Sequence, residues 1–172
     1  LRFVSWPPAG YLLKAAEVRS DEVGSILGEV DLNANWAATH ELCEVALALP
    51  PATGVPFVRK LTYQIRATDW LPLFDGARMG RLAGHVAVAD PDVALDFLSA
   101  LLTVFPDPSH NDVVDDSEYR PLPRPRPRPR VPQDYDYEEI LKAATPVMST
   151  SVGLPWIELL IQLVSEVIEL SY

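Results

Sequence analysis

At 172 residues, with a formal net charge of -10 and 48% hydrophobic residues, the chain is long enough to bury a core as one domain or a short repeat array. Its acidity sets it against nucleic-acid phosphates and anionic membrane surfaces except through a local basic patch. A single cysteine, Cys43, rules out an intrachain disulfide and fits a reducing, cytoplasmic setting.

The start, Leu1-Arg2-Phe3-Val4-Ser5-Trp6, lacks the continuous apolar region of a signal peptide and does not begin with methionine, so the chain reads as a piece of something longer. The spacing predicts a first helix from about Pro7 to Val18, with Ser5 as N-cap and Tyr11, Leu12, Ala15 and Ala16 inside. Ser20 reads as the N-cap of the second helix, followed by Asp21 and Glu22, whose charges suit a positive helix start. Val23, Ile26, Leu27 and Val30 then recur at i, i+3, i+4 and i+7. Gly24 and Gly28 weaken that helix but let a neighbour approach closely.

Asn35 reads as the cap of the third helix, with Trp36, Leu42, Cys43, Ala46, Leu47 and Leu49 as its apolar stripe. Pro50-Pro51 ends it, because the residue before a proline avoids the α region. The fourth helix carries Phe57, Leu61 and Ile65, and Pro56 either opens or kinks it. Trp70-Leu71-Pro72-Leu73-Phe74 is a short apolar connector. Asp75 caps the fifth helix, with Met79, Leu82, Ala83 and Val86 inside. Asp90-Pro91-Asp92 opens the sixth, with Ala94, Phe97, Leu98, Leu101 and Phe105 inside, and Pro106 and Pro108 stop it.

Residues 106–134 are rich in proline and charge and cannot bury a core. Helices resume at Asp136, with Glu139 completing a capping box, followed by Ile140, Ala144, Val147 and Met148, a kink at Pro146 and an end at Gly153. Pro155 opens the last helix, whose inner face is Trp156, Leu159, Leu160, Leu163, Val167 and Leu170. Glu158, Gln162, Glu166 and Glu169 interrupt its apolar run, so it falls short of the roughly 20 apolar residues of a membrane span. Ile157, Ile161, Val164 and Ile168 give it more apolar surface than a water-facing terminal helix needs, which suggests a following repeat. With no sustained period-two alternation, the reading is all-α: about eight helices in about four antiparallel pairs, an α-solenoid or right-handed superhelix. Residues 1–105 form a repeat region, 106–134 a loop or linker, and 135–172 a final pair packing on the array.

The stretches Trp6-Pro7-Pro8-x-x-Tyr11-Leu12, Asp21-Glu22-Val23-x-x-Ile26-Leu27, Asn35-Trp36 and Ala48-Leu49-Pro50-Pro51 resemble HEAT-type repeats of large bacterial proteins. Asp136-Tyr137-Glu138-Glu139-Ile140-Leu141 with the leucine-rich closing helix is similar to the same group. The resemblance covers most of the chain outside the proline-rich segment and rests on packing residues; the spacing from pair to pair is uneven. It implies a helical scaffold within a larger multidomain protein, in some cases tied to antiphage defence or NTPase-linked systems, and carries over no catalytic residues.

His40-Glu41-Leu42-Cys43-Glu44 is the nearest approach to a metal or catalytic cluster. Zinc needs three or four ligands, and His85 and His110 lie far off in sequence, so the reading is a buried Cys43 and a surface His40. No phosphate-binding loop or nucleophile elbow occurs, and pairs such as Asp92 with Asp96 or Glu138 with Glu139 read as caps and solvated faces. No catalytic residue, metal site or cofactor is expected.

Two basic features are candidates for partner binding. Arg59, Lys60 and Arg66 on the fourth helix, with Arg78 and Arg81 on the fifth, make a modest ridge if those helices are adjacent, or else ordinary surface charge balanced by nearby acids. The Pro-Arg tract from Arg120 to Arg130, including Arg124, Arg126, Arg128 and Arg130, favours extended polyproline II and is flanked by acids on both sides. It reads as a stiff spacer first, with a docking peptide or a nucleic-acid contact as alternatives. The leading expectation is a non-catalytic scaffold for protein–protein contact. An accessory domain of a nucleotide- or nucleic-acid-processing enzyme comes second, and direct nucleic-acid binding through the arginines third.

Overall fold

A computed structural model describes residues 7–32, 36–66, 75–103 and 134–170, with side chains placed for 8–32, 38–66, 75–103 and 137–165. The caps Ser5 and Asn35, the Trp70–Phe74 connector, Phe105, His110 and the Pro-Arg tract with Arg124, Arg126, Arg128 and Arg130 lie outside the described residues. So do the side chains of Trp36, Val167, Ile168 and Leu170.

Every described element is a helix: α1 (Pro7–Ala16), α2 (Ser20–Glu29), α3 (Trp36–Ala48), α4 (Pro51–Arg66), α5 (Gly76–Ala87), α6 (Pro91–Leu102), α7 (Asp134–Ser151) and α8 (Leu154–Leu170). The links inside successive pairs are short, at residues 17–19, 49–50, 88–90 and 152–153, and those between pairs are longer. Beyond the contacts within pairs, each helix packs on the one two places along: α1 on α3, α3 on α5 and α5 on α7; α2 on α4, α4 on α6 and α6 on α8. The odd and even helices thus form two rows with one continuous core between them.

Residue chemistry sets the helix boundaries. Asp75 and Asp90 take extended backbone and accept hydrogen bonds from the N–H groups of Arg78 (3.0 Å) and Val93 (3.2 Å), capping α5 and α6 as expected. Ser20 is not a cap. The Val23 N–H bonds to the Arg19 carbonyl, so Arg19 holds the cap position without a side-chain bond, and Ser20 is the first helical residue. Pro51 opens α4, and Pro56 lies inside it. α7 begins at Asp134, two residues ahead of the capping box read at Asp136, and runs on through Pro146. Gly153, at φ +71°, turns the chain from α7 into α8: its N–H and that of Val152 return to the Met148 carbonyl, and its own carbonyl accepts from Trp156 and Ile157.

The core holds Leu42, Cys43, Phe57, Leu61, Ile65, Met79, Leu82, Ala83, Val86, Phe97, Leu98, Leu101, Ile140, Ala144, Met148 and Trp156. Two residues placed inside by spacing face outward: Tyr11 is 75% exposed and Ile26 48%. Ala9, Leu12 and Ala16 form the inner stripe of α1, and Val23 and Leu27 that of α2. Their helices have few packing partners, so the buried stripe is narrower than the apolar one.

Close approach replaces bulk where α5 meets α7. Gly76, Gly80 and Gly84 recur every four residues on α5 and are all buried. A Cβ at Gly80 would lie 2.3 Å from the Ile140 carbonyl oxygen, and one at Gly84 would lie 3.3 Å from Val147 Cβ. The anticipated close approach at Gly24 is present against Thr53, and Gly28 faces Pro56 at 3.7 Å.

Candidate functional site

The densest polar constellation joins α3 and α5. His40 and Glu44, four residues apart, share one face of α3. Arg78 enters between them from the first turn of α5, where the Asp75 cap fixes the backbone. The Arg78 side chain is only 16% exposed and ion-pairs with Glu44 through Nε and with Asp75 at 3.5 Å. Its Nη1 lies 2.5 Å from His40 Nδ1 and 2.6 Å from Nε2, and donates to the His40 carbonyl at 3.3 Å. Arg81 reaches Glu44 at 3.9 Å.

His40 is therefore half-buried against a guanidinium, not a surface residue. Burial, then the Arg78 charge, holds its pKa below the ordinary histidine range, against the opposing pull of Asp75, Glu44 and Glu41. A neutral imidazole offers Arg78 one acceptor nitrogen. Cys43, on the buried side of α3, has its thiol pushed up to about 12 by burial, so it stays protonated and unreactive at neutral pH. Among the described residues no group of three or more His, Cys, Asp and Glu is placed to hold a metal ion. The chemistry of the cluster is that of an electrostatic clamp: one mostly buried cation set among two carboxylates, a ring nitrogen and a carbonyl, its Nε paired with Glu44 by charge without a hydrogen bond, tying α5 to α3.

The other cations of the expected ridge are fastened the same way. Arg59 on α4 binds Asp90, the α6 cap, at 2.8 Å, and Arg66 binds both oxygens of Asp96 on α6 at 2.5 and 3.3 Å. Lys60 donates to the Gly28 carbonyl at the end of α2 (3.2 Å). Arg59, Lys60, Arg66, Arg78 and Arg81 each link a helix to the one two places away in its own row. The arginines meet carboxylates, and α4 and α5 are in contact, as the ridge required. The Arg59 contact, chiefly, draws the Asp90 carboxyl below the usual range. Two further side-chain bonds to carbonyls run along the rows, Gln64 donating to Leu32 (2.6 Å) and the His85 ring meeting Leu49 (2.8 Å), whereas the Tyr137 hydroxyl on α7 donates to the Leu102 carbonyl on α6, from one row to the other.

A second feature lies between α6 and α8, where an open groove of about 390 Å³ is lined by Asp92, Leu95, Asp96 and Ser99 on one side and Pro155, Glu158, Leu159 and Gln162 on the other. Beside it α8 exposes Leu154, Ile157, Ile161 and Val164. The sequence pointed to Ile157, Ile161 and Val164 as surplus apolar surface; the groove depends on α6 meeting α8 across the longest link and has no local signal. No described helix is long and apolar enough to cross a membrane. No protein-family model, curated protein or solved structure matches the chain.

Proposed function

We propose that this chain is a HEAT-like α-solenoid segment, part of a larger bacterial protein, that acts as a non-catalytic scaffold for protein–protein contact. The observation carrying this reading is the two-row packing, in which each helix contacts its pair mate and the helices two places away. That is the nearest-neighbour pattern of a stacked repeat array. Short links within pairs and longer links between them support the same grouping. The internal pairing of the helical-region cations favours protein partners over phosphate backbones, since a paired arginine must break its ion pair to bind a phosphate.

Hydrogen exchange tests the architecture. Opening the α5–α7 contact by mutation should strip protection from α5, α7 and their immediate neighbours while α1 and α2 keep theirs. Uniform loss along the chain would refute a nearest-neighbour array. Cross-linking in the source extract tests the role: cross-links from exposed helix faces to another polypeptide are expected, and a chain that forms none is not a scaffold.

A further inference from the structure

We propose that α8 and the groove beside it form a docking surface for a cationic amphipathic helix of a partner protein, an inference that rests on the scaffold reading and specifies its partner. Leu154, Ile157, Ile161 and Val164 are 73%, 50%, 62% and 60% exposed. Their spacing of i, i+3, i+7 and i+10 aligns them in one stripe about 15 Å long. The other exposed large apolar side chains among the described residues are Tyr11, Leu13 and Val18 on and after α1, and Ile26, Tyr63 and Val88, none of them in a stripe of four at helical spacing; such scattered exposure is ordinary for a protein surface.

The charge beside the stripe selects the occupant. Glu158 lies next to Ile157 and Ile161 on the α8 surface and, with Asp92, lines the groove. Neither has a cation partner among the described residues, while Asp96 is shared with Arg66. α8 contains no lysine or arginine. Among the described residues the surface is thus an apolar ridge bordered by two carboxylates without a cation partner. A helix that lays leucines or isoleucines on the ridge and lysines or arginines over Asp92 and Glu158 satisfies both. A second copy of α8 would bring Glu158 toward its own like, and an anionic membrane is repelled by a chain of net charge -10.

The test uses the full chain and two synthetic helical peptides of about 18 residues, each with leucine on one face, bordered by lysine in one and by glutamate in the other. The lysine peptide should bind and the glutamate peptide should not. The double variant I157S/I161S, changed at exposed positions, should weaken binding about tenfold, or about 1.4 kcal/mol. D92N/E158Q should weaken it about threefold and flatten its salt dependence, whereas D21N on α2 should leave it unchanged. Circular dichroism confirms that each variant is folded. Absent binding, equal binding of both peptides, or binding indifferent to I157S/I161S overturns the proposal, as does concentration-dependent self-association abolished by I161S. Any of these leaves the scaffold reading to its own exchange and cross-linking tests.

Discussion

Gly80 is the position where one added methyl group should do most damage. In an open helix, alanine in place of glycine gains ~1 kcal/mol of helix propensity. At Gly80 the new Cβ would sit 2.3 Å from the Ile140 carbonyl oxygen and 2.8 Å from Ala143 Cβ. The first obstacle is backbone and cannot swing aside, so α5 and α7 must move apart by about 1 Å to restore van der Waals distance. A gap of that size forfeits about a quarter to a half of each dispersion contact across the interface. Overpacking costs of this kind run to ~1–3 kcal/mol, more when the neighbour is rigid. Net of the propensity gain, G80A should lose ~2 kcal/mol, a fall of about 4–8 °C in Tm for a chain of this size. Urea and thermal unfolding of G80A and G10A side by side decide the matter. A Cβ at Gly10 meets nothing within 4 Å, so G10A should be as stable as the parent or more so. If G80A matches the parent, or moves with G10A, the close α5–α7 approach is not present in solution.

Four further outcomes follow from the same geometry. His40 is neutral in the fold, while the unfolded chain takes up a proton near about pH 6.5; stability is therefore fully present above that value and declines as pH falls below it. Urea midpoints should drop between about pH 7.5 and about pH 5.5, and H40Q should shrink the drop. D75A removes both the α5 cap and one Arg78 partner and should destabilise by ~1 kcal/mol, measured by urea unfolding. Gly153 at φ +71° has open space around it, so G153A should lose ~1 kcal/mol through backbone strain alone. Cys43 should resist thiol reagents in buffer and react at once in denaturant; prompt labelling of the native chain would contradict its burial.

The sequence carried the helices well where punctuation and periodicity agreed. Asp75 and Asp90 cap where their spacing predicts, and Met79, Leu82, Ala83 and Val86 are all buried. It misled at the edges of stripes: Tyr11 and Ile26 fit the helical period, but period alone does not report how wide a face a neighbour covers. Ser20 and Asp136 are good capping residues to which the chain gives other positions, because α2 starts on the Arg19 carbonyl and α7 extends back to Asp134. Close approach was read in the sequence at Gly24 and Gly28 but not at Gly76, Gly80 and Gly84, which share a spacing of four on α5; the packing of α5 on α7 is what shows their use. The Arg78 clamp was not visible, since His40 and Arg78 meet only when α3 packs on α5 across an intervening helix. Local signals specify elements; pairings between next-nearest elements need the fold.

The placement of charge and apolar surface then has one physical source. Among the described helices α3, α4, α5 and α6 each pack on two row neighbours, and α1, α2, α7 and α8 on one. Arg59, Arg66 and Arg78 pair with carboxylates of row neighbours; the Arg78 pair is shielded from solvent, while those of Arg59 and Arg66 are exposed and weak. Each such bond also uses a carboxylate, whereas Asp92 and Glu158 beside the groove have no cation partner among the described residues. Exposed apolar side chains concentrate on the helices with one row neighbour: Tyr11 and Leu13 on α1, and Leu154, Ile157, Ile161 and Val164 on α8. α1 carries Lys14 among them, whereas the sequence of α8 holds carboxylates and no lysine or arginine. The exposed apolar faces of α1 and α8 are therefore not interchangeable. A basic helix that binds the α8 face should gain nothing from the α1 face, and replacing Tyr11 with serine should leave its affinity unchanged while I161S lowers it. Equal losses from both substitutions would mean that the peptide follows exposed hydrophobicity alone, without regard to the charged border.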